Sequence, residues 1–326
     1  MRATGFTRVV SALAVITGLA SAAWAQQPQG YKGYVRGAAL ISVAELKQLI
    51  DAKDPKLVIL AAENDLEYRL GHIPGSRQVD RPVYEAAPET QGGISGNLIQ
   101  PAGFTKLAQR LGIKKDSKVI VYDAKCDATR LWWAFLYYGK HDVRVLDGGI
   151  KAWKEAGYDT AILAPDAAKK GTFVARISVP RSRVETPEIL ALRGSGKGQL
   201  WDNRDSKEFC GEELKKGAYR KGRIPWGKHS NWTLFKKKDN ASEWISAAES
   251  QSVLKKLGAD PSKDQYFFCQ SGVRSTQALF TFYLLGWSLE KLHNYDSSWI
   301  GWSKDASLPI ETGCSVNPSP ALARAD

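Results

Sequence analysis

The chain has 326 residues, carries a formal net charge of +12 and is 43% hydrophobic, an ordinary composition for a globular protein. The length favours about two domains, and the apolar content is enough to build sizeable cores without disulfide cross-links. A positive charge of this size favours anionic partners. Because no nucleic-acid-binding motif is present, we expect a small anionic ligand and no nucleic-acid partner.

The first 25 residues read as a secretory signal peptide. Arg2 and Arg8 form a positive n-region, the apolar run 9–20 is too short to span a bilayer comfortably, and residues 23–25, Ala-Trp-Ala, offer a cleavage site. An uncleaved membrane anchor is the alternative, which the short apolar run disfavours. We therefore expect cleavage after Ala25, a mature chain without a membrane span, and a periplasmic location in a bacterium.

The rest of the chain contains an internal repeat. Four features of the chain occur twice, at separations of 146 to 151 residues. They are the prolines of the similar motifs GHIPG and GRIPWG (Pro74 and Pro225), the residues that end two apolar strands (Asp123 and Cys269), two helix ends (Gly139 and Gly286) and two aspartates (Asp147 and Asp296). Nearly equal spacing at independent positions indicates two copies of one domain. We place the first domain at 38–163, a linker at 164–184 and the second domain at 185–314.

Each copy alternates short apolar runs with helical patterns. In the first copy, buried strands are predicted at 57–60, 119–122 and 143–146, and helices at 43–49, 104–111 and 129–138. Strands separated by helices form a parallel sheet that is covered on both faces. The predicted fold class is therefore α/β, with two tandem domains, each a parallel sheet flanked by helices.

The second copy carries a stretch that favours covalent chemistry, CQSGVRS, which begins directly after the apolar run 266–268. Ligands of parallel sheets bind beyond the carboxyl ends of the strands. Gly272 permits a tight turn, Ser275 is a good N-cap for the next helix, and a loop curled at a helix start directs N–H groups toward an anion. Because the helix start and Arg274 favour a thiolate, we expect Cys269 to be a catalytic nucleophile. Its predicted substrate-binding loop consists of Gln270, Ser271, Gly272, Val273, Arg274 and Ser275.

The other three cysteines lack such a setting. No C-x-x-C pair is present, which disfavours a thioredoxin-type redox pair and a zinc knuckle. Cys126 lies three residues after Asp123, and we interpret it as incidental rather than as a second reactive thiol. Disulfides are compatible with an exported protein, but the sequence does not choose among pairings of Cys126, Cys210 and Cys314, and it favours a packing role for Cys210.

Five motifs together point to a known family. They are GHIPG at 71–75, LDGGIKAW at 146–153, GRIPWG at 222–227, CQSGVRS at 269–275 and YDSSWIGW at 295–302. With them the chain resembles the tandem-domain rhodaneses, which are sulfurtransferases, over nearly all of the mature sequence. The resemblance implies a rhodanese fold twice over, with catalysis by Cys269 in the second copy. It also implies a substrate-steadying arginine at Arg204, in a D-x-R strand motif.

The resemblance further implies the reaction. The Cys269 thiolate attacks the outer sulfur of a small anionic donor such as thiosulfate, sulfite leaves, and cyanide or a thiol then takes the sulfur from the resulting persulfide. No metal or organic cofactor is needed. In the first copy Asp123 holds the cysteine position, and a carboxylate cannot carry a persulfide, so we expect the first domain to be inactive.

Three alternatives stay open. The Ser-Gly-Val of the loop is similar to that of mercaptopyruvate-preferring members, whereas Arg274 is typical of single-domain rhodaneses. Thiosulfate is favoured because an exported enzyme meets it more readily. A carrier that holds a persulfide without turnover would use the same residues. A phosphatase of related fold needs five residues between cysteine and arginine, and here only four separate Cys269 from Arg274.

Overall fold

Two five-stranded parallel sheets form the framework of the protein. The computed structural model describes Met1 and residues 30–314, so the expected signal peptide and its cleavage site lie outside the described residues. The first sheet contains β1 (Leu40–Ile41), β2 (Leu57–Ala61), β3 (Arg77–Gln78), β4 (Lys118–Tyr122) and β5 (Val143–Leu146). The second contains β6 (Arg183–Val184), β7 (Gly198–Asp202), β8 (Gly227–His229), β9 (Asp264–Phe268) and β10 (Leu292–Tyr295).

The two sheets have the same topology. Their strand orders are β1-β5-β4-β2-β3 and β6-β10-β9-β7-β8, so β4 and β9 are the central strands. The helices of the first domain are α1 (Val43–Asp51), α2 (Asp65–Arg69), α3 (Pro101–Arg110), α4 (Ala128–Tyr137) and α5 (Gly149–Glu155). Those of the second are α6 (Thr186–Ala191), α7 (Ser206–Cys210), α8 (Ala247–Leu257), α9 (Arg274–Leu284) and α10 (Ser298–Lys304). The predicted α/β class and its duplication are confirmed.

Alternating side chains on each central strand bury both faces of the sheet. On β4, Val119 and Val121 join one apolar core, whereas Ile120 and Tyr122 join another on the opposite face. A strand buried on both faces needs a continuous apolar run, which is the pattern that the sequence has here. Because the strands of each sheet are parallel, β4 and β9 end at the same edge as the strands beside them, and the loops that follow them lie at that edge.

The domains pack through a pseudo-two-fold interface between α4 and α9. The hydroxyls of Thr129 and Thr276, equivalent residues of the two copies, lie 2.8 Å apart, and the rings of Trp132 and Phe280 meet edge to face. One apolar core includes residues of both domains. The two domains are therefore joined by a shared core.

Equivalent aspartates bind the opposite domain. Asp147 accepts a hydrogen bond from the Trp244 N–H at 2.8 Å, and Asp296 accepts one from the Leu98 N–H at 3.0 Å. The segments before each sheet also cross over, since the Arg36 N–H donates to the Leu284 carbonyl. In the expected linker, the Ser178 N–H likewise donates to the Tyr137 carbonyl, and the second sheet begins before the linker's expected end, at Arg183.

A disulfide joins Cys210, the last residue of α7, to Cys314, with Cα atoms 4.8 Å apart. Cys210 therefore has a cross-linking role, whereas the sequence favoured packing alone. Cys126 and Cys269 are free thiols. Among the described residues, no helix combines the length and the apolar character that crossing a bilayer requires.

Removing the disulfide should lower the free energy of unfolding by about 2–4 kcal/mol, because the bond closes a long loop in the unfolded chain. The sequence separation of the two cysteines is 104 residues. The measurement is urea denaturation of the Cys210→Ser/Cys314→Ser double variant, with Cys126→Ser as the control that keeps the cross-link. Equal stability of the double variant and the oxidised wild type would contradict the assignment.

Candidate active site

Cys269 occupies the first position after the central strand β9. It is 1% exposed, and its thiol is free. Its N–H donates to the Ser298 hydroxyl at 3.2 Å, and its carbonyl accepts from the Trp299 N–H at 3.0 Å. The strand and the start of α10 therefore hold the backbone of the cysteine from both sides.

In the Cys269 loop, residues 269–275, the carbonyls of Cys269, Gln270 and Gly272 are bound, whereas the N–H groups of residues 270–273 are not. The Trp299 and Ile300 N–H groups donate to the carbonyls of Cys269 and Gln270, and the Gly272 carbonyl accepts from side chains. In a trans peptide the N–H points opposite to the carbonyl. Within residues 30–314, the N–H groups of residues 270–273 donate to no acceptor. The loop therefore offers a set of unpaired donors to an anion.

Gly272 makes the turn of this loop possible. Its φ is +73°, a left-handed conformation that glycine adopts without strain. A Cβ atom at this position would lie 2.8 Å from the Asp296 carbonyl oxygen. The structure thus agrees with the turn predicted for Gly272.

The helix after the loop starts one residue earlier than Ser275, so the predicted N-cap is wrong. Helix α9 begins at Arg274, and Val273 precedes it without a side-chain cap. The buried Ser275 hydroxyl donates instead to the Asn294 side-chain oxygen at 2.7 Å. The first-turn N–H groups of α9 are consequently left without a side-chain cap, which suits an anion site better than a capped helix.

Arg274 is engaged by acidic residues. Its guanidinium donates to both Glu208 carboxylate oxygens, at 2.6 and 2.9 Å, and to Asp205 at 3.1 Å. Burial opposes its charge, but the bonds to Glu208 and the nearby charges of Cys269 and Asp205 raise the pKa of Arg274. Arg274 is thus a fixed cation within electrostatic reach of Cys269, with two of its nitrogens already bound.

Arg204 lies in a different setting from the one that the resemblance implies. Its guanidinium is paired with Asp202 through two bonds of 2.9 and 2.5 Å, and it lies 4.4 Å from the ring centre of Trp299. It also donates to the Gly222 carbonyl at 2.9 Å, and the residue is 1% exposed. In this conformation Arg204 has no free surface for an anion, and it organises the end of β7.

Two further loop residues contact neighbouring segments. The Gln270 amide donates to the carbonyls of Lys215 and Lys216, at 3.5 and 3.3 Å. Ser271 lies under Gly96 of the first domain, where an added Cβ would come 2.7 Å from the Ser271 carbonyl oxygen. The absence of a side chain at Gly96 therefore allows the first domain to approach the Cys269 loop closely.

The matching loop of the first domain contains its own anion. Asp123 accepts hydrogen bonds from the Ala128 N–H at 2.6 Å and, from the second domain, the Ser242 hydroxyl at 2.7 Å. Burial raises the pKa of Asp123, while these two bonds and Lys236 oppose the shift. The carboxylate thus occupies the place that a thiolate and its substrate would share, in agreement with the expected inactivity of this domain.

Two buried ionisable groups near Asp123 were missed by the sequence analysis. Lys236 belongs to a lysine run that suggests a solvated surface, yet it is 3% exposed and lies over the Trp244 ring. Burial lowers the pKa of Lys236 well below its ordinary value. Glu63, which follows β2 as Arg204 follows β7, has its pKa raised to about 8 by burial and then by Asp123. After the strand beside the central one, the first copy therefore has an acid where the second has Arg204.

Cys126 lies in the first domain's loop and faces the second domain. Its carbonyl accepts a hydrogen bond from the Gln277 amide at 2.8 Å. Burial, Asp127 and Asp123 raise the pKa of Cys126 well above its ordinary value. A partly buried thiol that stays protonated is a poor nucleophile, which supports the interpretation of Cys126 as incidental.

Ser298 is a site residue that the sequence analysis did not identify. Its φ is +48°, unusual for a residue with a side chain, and the equivalent residue of the first copy is Gly149 at +57°. Its hydroxyl accepts from the Cys269 N–H and donates to the Tyr295 carbonyl at 2.8 Å. Alignment of LDGG with YDSS could have found it, because serine there replaces a glycine. Backbone strain of this kind is often kept at functional sites.

Comparisons with known proteins agree with this geometry. The rhodanese-like domain family matches residues 42–156 and 185–305. Sulfur carrier protein TtuD of Thermus thermophilus is 31% identical over 307 residues, which cover 86% of this chain and 99% of that protein. Thiosulfate sulfurtransferase of Corynebacterium glutamicum is 30% identical over 295 residues, covering 87% and 93%. A solved structure of an EanB variant with a cysteine persulfide and ergothioneine has a TM-score of 0.75 at 26% identity, covering 86% of this chain and 72% of that chain.

Two substitutions of Ser298 should separate the backbone strain at this residue from the role of its hydroxyl in holding the Cys269 N–H. Ser298→Gly and Ser298→Ala both remove the hydroxyl that holds the Cys269 N–H, so both should lower turnover roughly tenfold, the loss expected for about 1.4 kcal/mol. Only glycine relieves the left-handed backbone, so Ser298→Gly should be about 1 kcal/mol more stable than Ser298→Ala. The rate of sulfur transfer measures the loss of the hydroxyl, and urea denaturation measures the relief of backbone strain. Wild-type turnover in Ser298→Gly would exclude the positioning role.

Proposed function

The chain belongs to the rhodanese-like domain family and is a rhodanese-type sulfurtransferase, and we propose that it moves sulfane sulfur from thiosulfate to cyanide or a thiol through a persulfide on Cys269. One observation carries the assignment of the site. Cys269 is a free thiol at the head of a loop whose N–H groups from 270 to 273 are unpaired among the described residues. In the other copy, a carboxylate takes this position.

In the first half-reaction, the Cys269 thiolate attacks the outer sulfur of thiosulfate. The bond from Cys269 Sγ to that sulfur forms while the sulfur–sulfur bond of thiosulfate breaks, and sulfite leaves with the electron pair. Negative charge is present on the nucleophile, on the transferred sulfur and on the leaving group. The free N–H groups of Gln270, Ser271 and Val273 stabilise that charge without rearranging, and the Arg274 guanidinium adds a fixed positive field.

In the second half-reaction, a nucleophilic acceptor attacks the outer sulfur of the persulfide. Cyanide leaves as thiocyanate, or a thiolate leaves as a new persulfide, and the bond to Cys269 Sγ breaks to restore the thiolate. The same N–H groups hold the anion in both steps, so no metal or organic cofactor enters the scheme. Two separate half-reactions predict ping-pong kinetics.

Thiosulfate is the proposed donor, and 3-mercaptopyruvate is the alternative. Thiosulfate is a compact dianion, and a small set of backbone donors beside a cation suits it. The relative from Corynebacterium glutamicum carries thiosulfate in its name. A donor panel that compares the two compounds at equal concentration decides between them, and faster sulfur loading from 3-mercaptopyruvate would reverse the assignment.

A sulfur carrier is the second candidate function, because a relative that is 31% identical is named as a sulfur carrier protein. A carrier would load Cys269 and keep the sulfur until a protein partner takes it. Fast thiocyanate formation supports the enzyme. Complete loading followed by negligible turnover with cyanide or small thiols supports the carrier.

We also propose that the protein is exported to a periplasm after cleavage at Ala25. The Cys210–Cys314 disulfide supports this location, since structural disulfides persist in oxidising compartments. The mass of the protein purified from its native envelope fraction should correspond to a chain that starts at Gln26. An intact N-terminus in the cytosolic fraction would overturn the proposal.

Replacing Cys269 should abolish sulfur transfer. A serine hydroxyl cannot hold the transferred sulfur as a stable intermediate, so Cys269→Ser should form no thiocyanate and gain no mass with thiosulfate. The wild-type protein and the Cys126→Ser control should each gain the mass of one sulfur atom. Intact-protein mass spectrometry and a thiocyanate assay give the readouts, and sulfur found on Cys126 instead would overturn the site.

A further inference from the structure

A side chain of the first domain reaches the catalytic loop of the second. Arg130 lies in α4 and is fully buried. Its Nη1 donates to the Gly272 carbonyl at 3.1 Å, and its Nη2 donates to the Asp296 carboxylate at 2.6 Å and to the Gly96 carbonyl at 2.5 Å. One guanidinium therefore bridges the two domains at the Cys269 loop.

The bond to Gly272 controls the direction of one peptide group. The Gly272 carbonyl accepts from Arg130 and, at 3.2 Å, from the Asn294 side chain. Because the peptide is trans, the Val273 N–H points away from these two donors. Val273 supplies one of the unpaired donors of the loop, so Arg130 helps to set the direction of this N–H.

The other bonds of Arg130 hold the covering segment in place. The Gly96 carbonyl is bound to Arg130, and the next-but-one N–H, that of Leu98, donates to Asp296. Gly96 itself lies against Ser271. Arg130 and Asp296, which are bonded to each other, thus bind both the Cys269 loop and the segment of the first domain that contains Gly96 and Leu98.

The equivalent residue of the second copy provides a natural comparison. Gln277 makes the reciprocal contact, since its amide donates to the Cys126 carbonyl in the loop of Asp123. Thr129 and Thr276 precede Arg130 and Gln277, and their hydroxyls meet at the pseudo-two-fold axis. Arg130 and Gln277 thus bind equivalent loops of the opposite domains, but only the loop that Arg130 binds contains the proposed nucleophile, Cys269.

We propose that Arg130 is a positioning residue for sulfur transfer, through which the first domain orients the Val273 N–H toward the sulfur anion on Cys269. The inference rests on the proposed function of Cys269. It assigns the inactive domain a direct part in the reaction: its guanidinium holds the donor that stabilises the thiolate and the persulfide.

Arg130→Lys tests the proposal, because lysine keeps the charge that pairs with Asp296 but has one nitrogen instead of a fork. We expect kcat for thiocyanate formation, per Cys269 that loads sulfur, to fall roughly tenfold. The acid limb of the pH–rate profile should move to higher pH, since a misdirected N–H stabilises the thiolate less. Gln277→Ala, the matched change on the other side of the axis, should keep kcat within about twofold.

The outcomes are separable. A wild-type kcat and pH profile in Arg130→Lys would overturn the positioning role. So would a fall in rate that is fully explained by a smaller fraction of protein whose Cys269 accepts sulfur. If Arg130→Lys does not fold, Arg130→Gln, which copies the residue at position 277, provides the same readouts. If wild-type protein itself gains no sulfur from any donor, the proposed function of Cys269 fails, and the role of Arg130 fails with it.

Discussion

The opposed directions of the N–H and carbonyl in each trans peptide are the constraint on which the site depends. Because the carbonyls of Cys269, Gln270 and Gly272 are bound by surrounding groups, the N–H groups that follow them are turned the other way and left unpaired among the described residues. A buried, unpaired N–H is unfavourable unless it finds a partner. The loop therefore needs hydrogen-bond acceptors, and a thiolate or a persulfide can serve as one.

The two copies meet this requirement in different ways. In the first, the side chain at the nucleophile position is itself an anion, and Asp123 accepts the Ala128 N–H at 2.6 Å. In the second, the free thiol of Cys269 takes this position, and the proposed reaction extends it by another sulfur. The loop of the first copy has an internal acceptor, whereas the N–H groups of residues 270–273 in the second are unpaired among the described residues. Duplication has kept the fold and changed the occupant of the loop.

The sequence was sufficient for the fold because the repeat and the continuous apolar runs are local signals. It was less informative about the site, where each side chain has several possible partners. Nothing in the D-x-R motif says that Arg204 turns back to pair with Asp202, and a serine at a helix start does not reveal that Ser275 is buried on Asn294. The lysine run does not reveal that Lys236 is buried over the ring of Trp244. Such pairings are decided by tertiary packing, which overrides local preference.

The core shared by α4 and α9 has a consequence for how the protein tolerates change. Neither half can lose its packing without exposing apolar surface of the other, so the two should melt together as one cooperative unit. A genetic screen that selects only for sulfur transfer would then report damage throughout the half that has no nucleophile. Selection against substitutions in that half would then reflect the coupled stability of the two domains. The number of invariant positions in a domain would therefore not show which domain carries out the reaction.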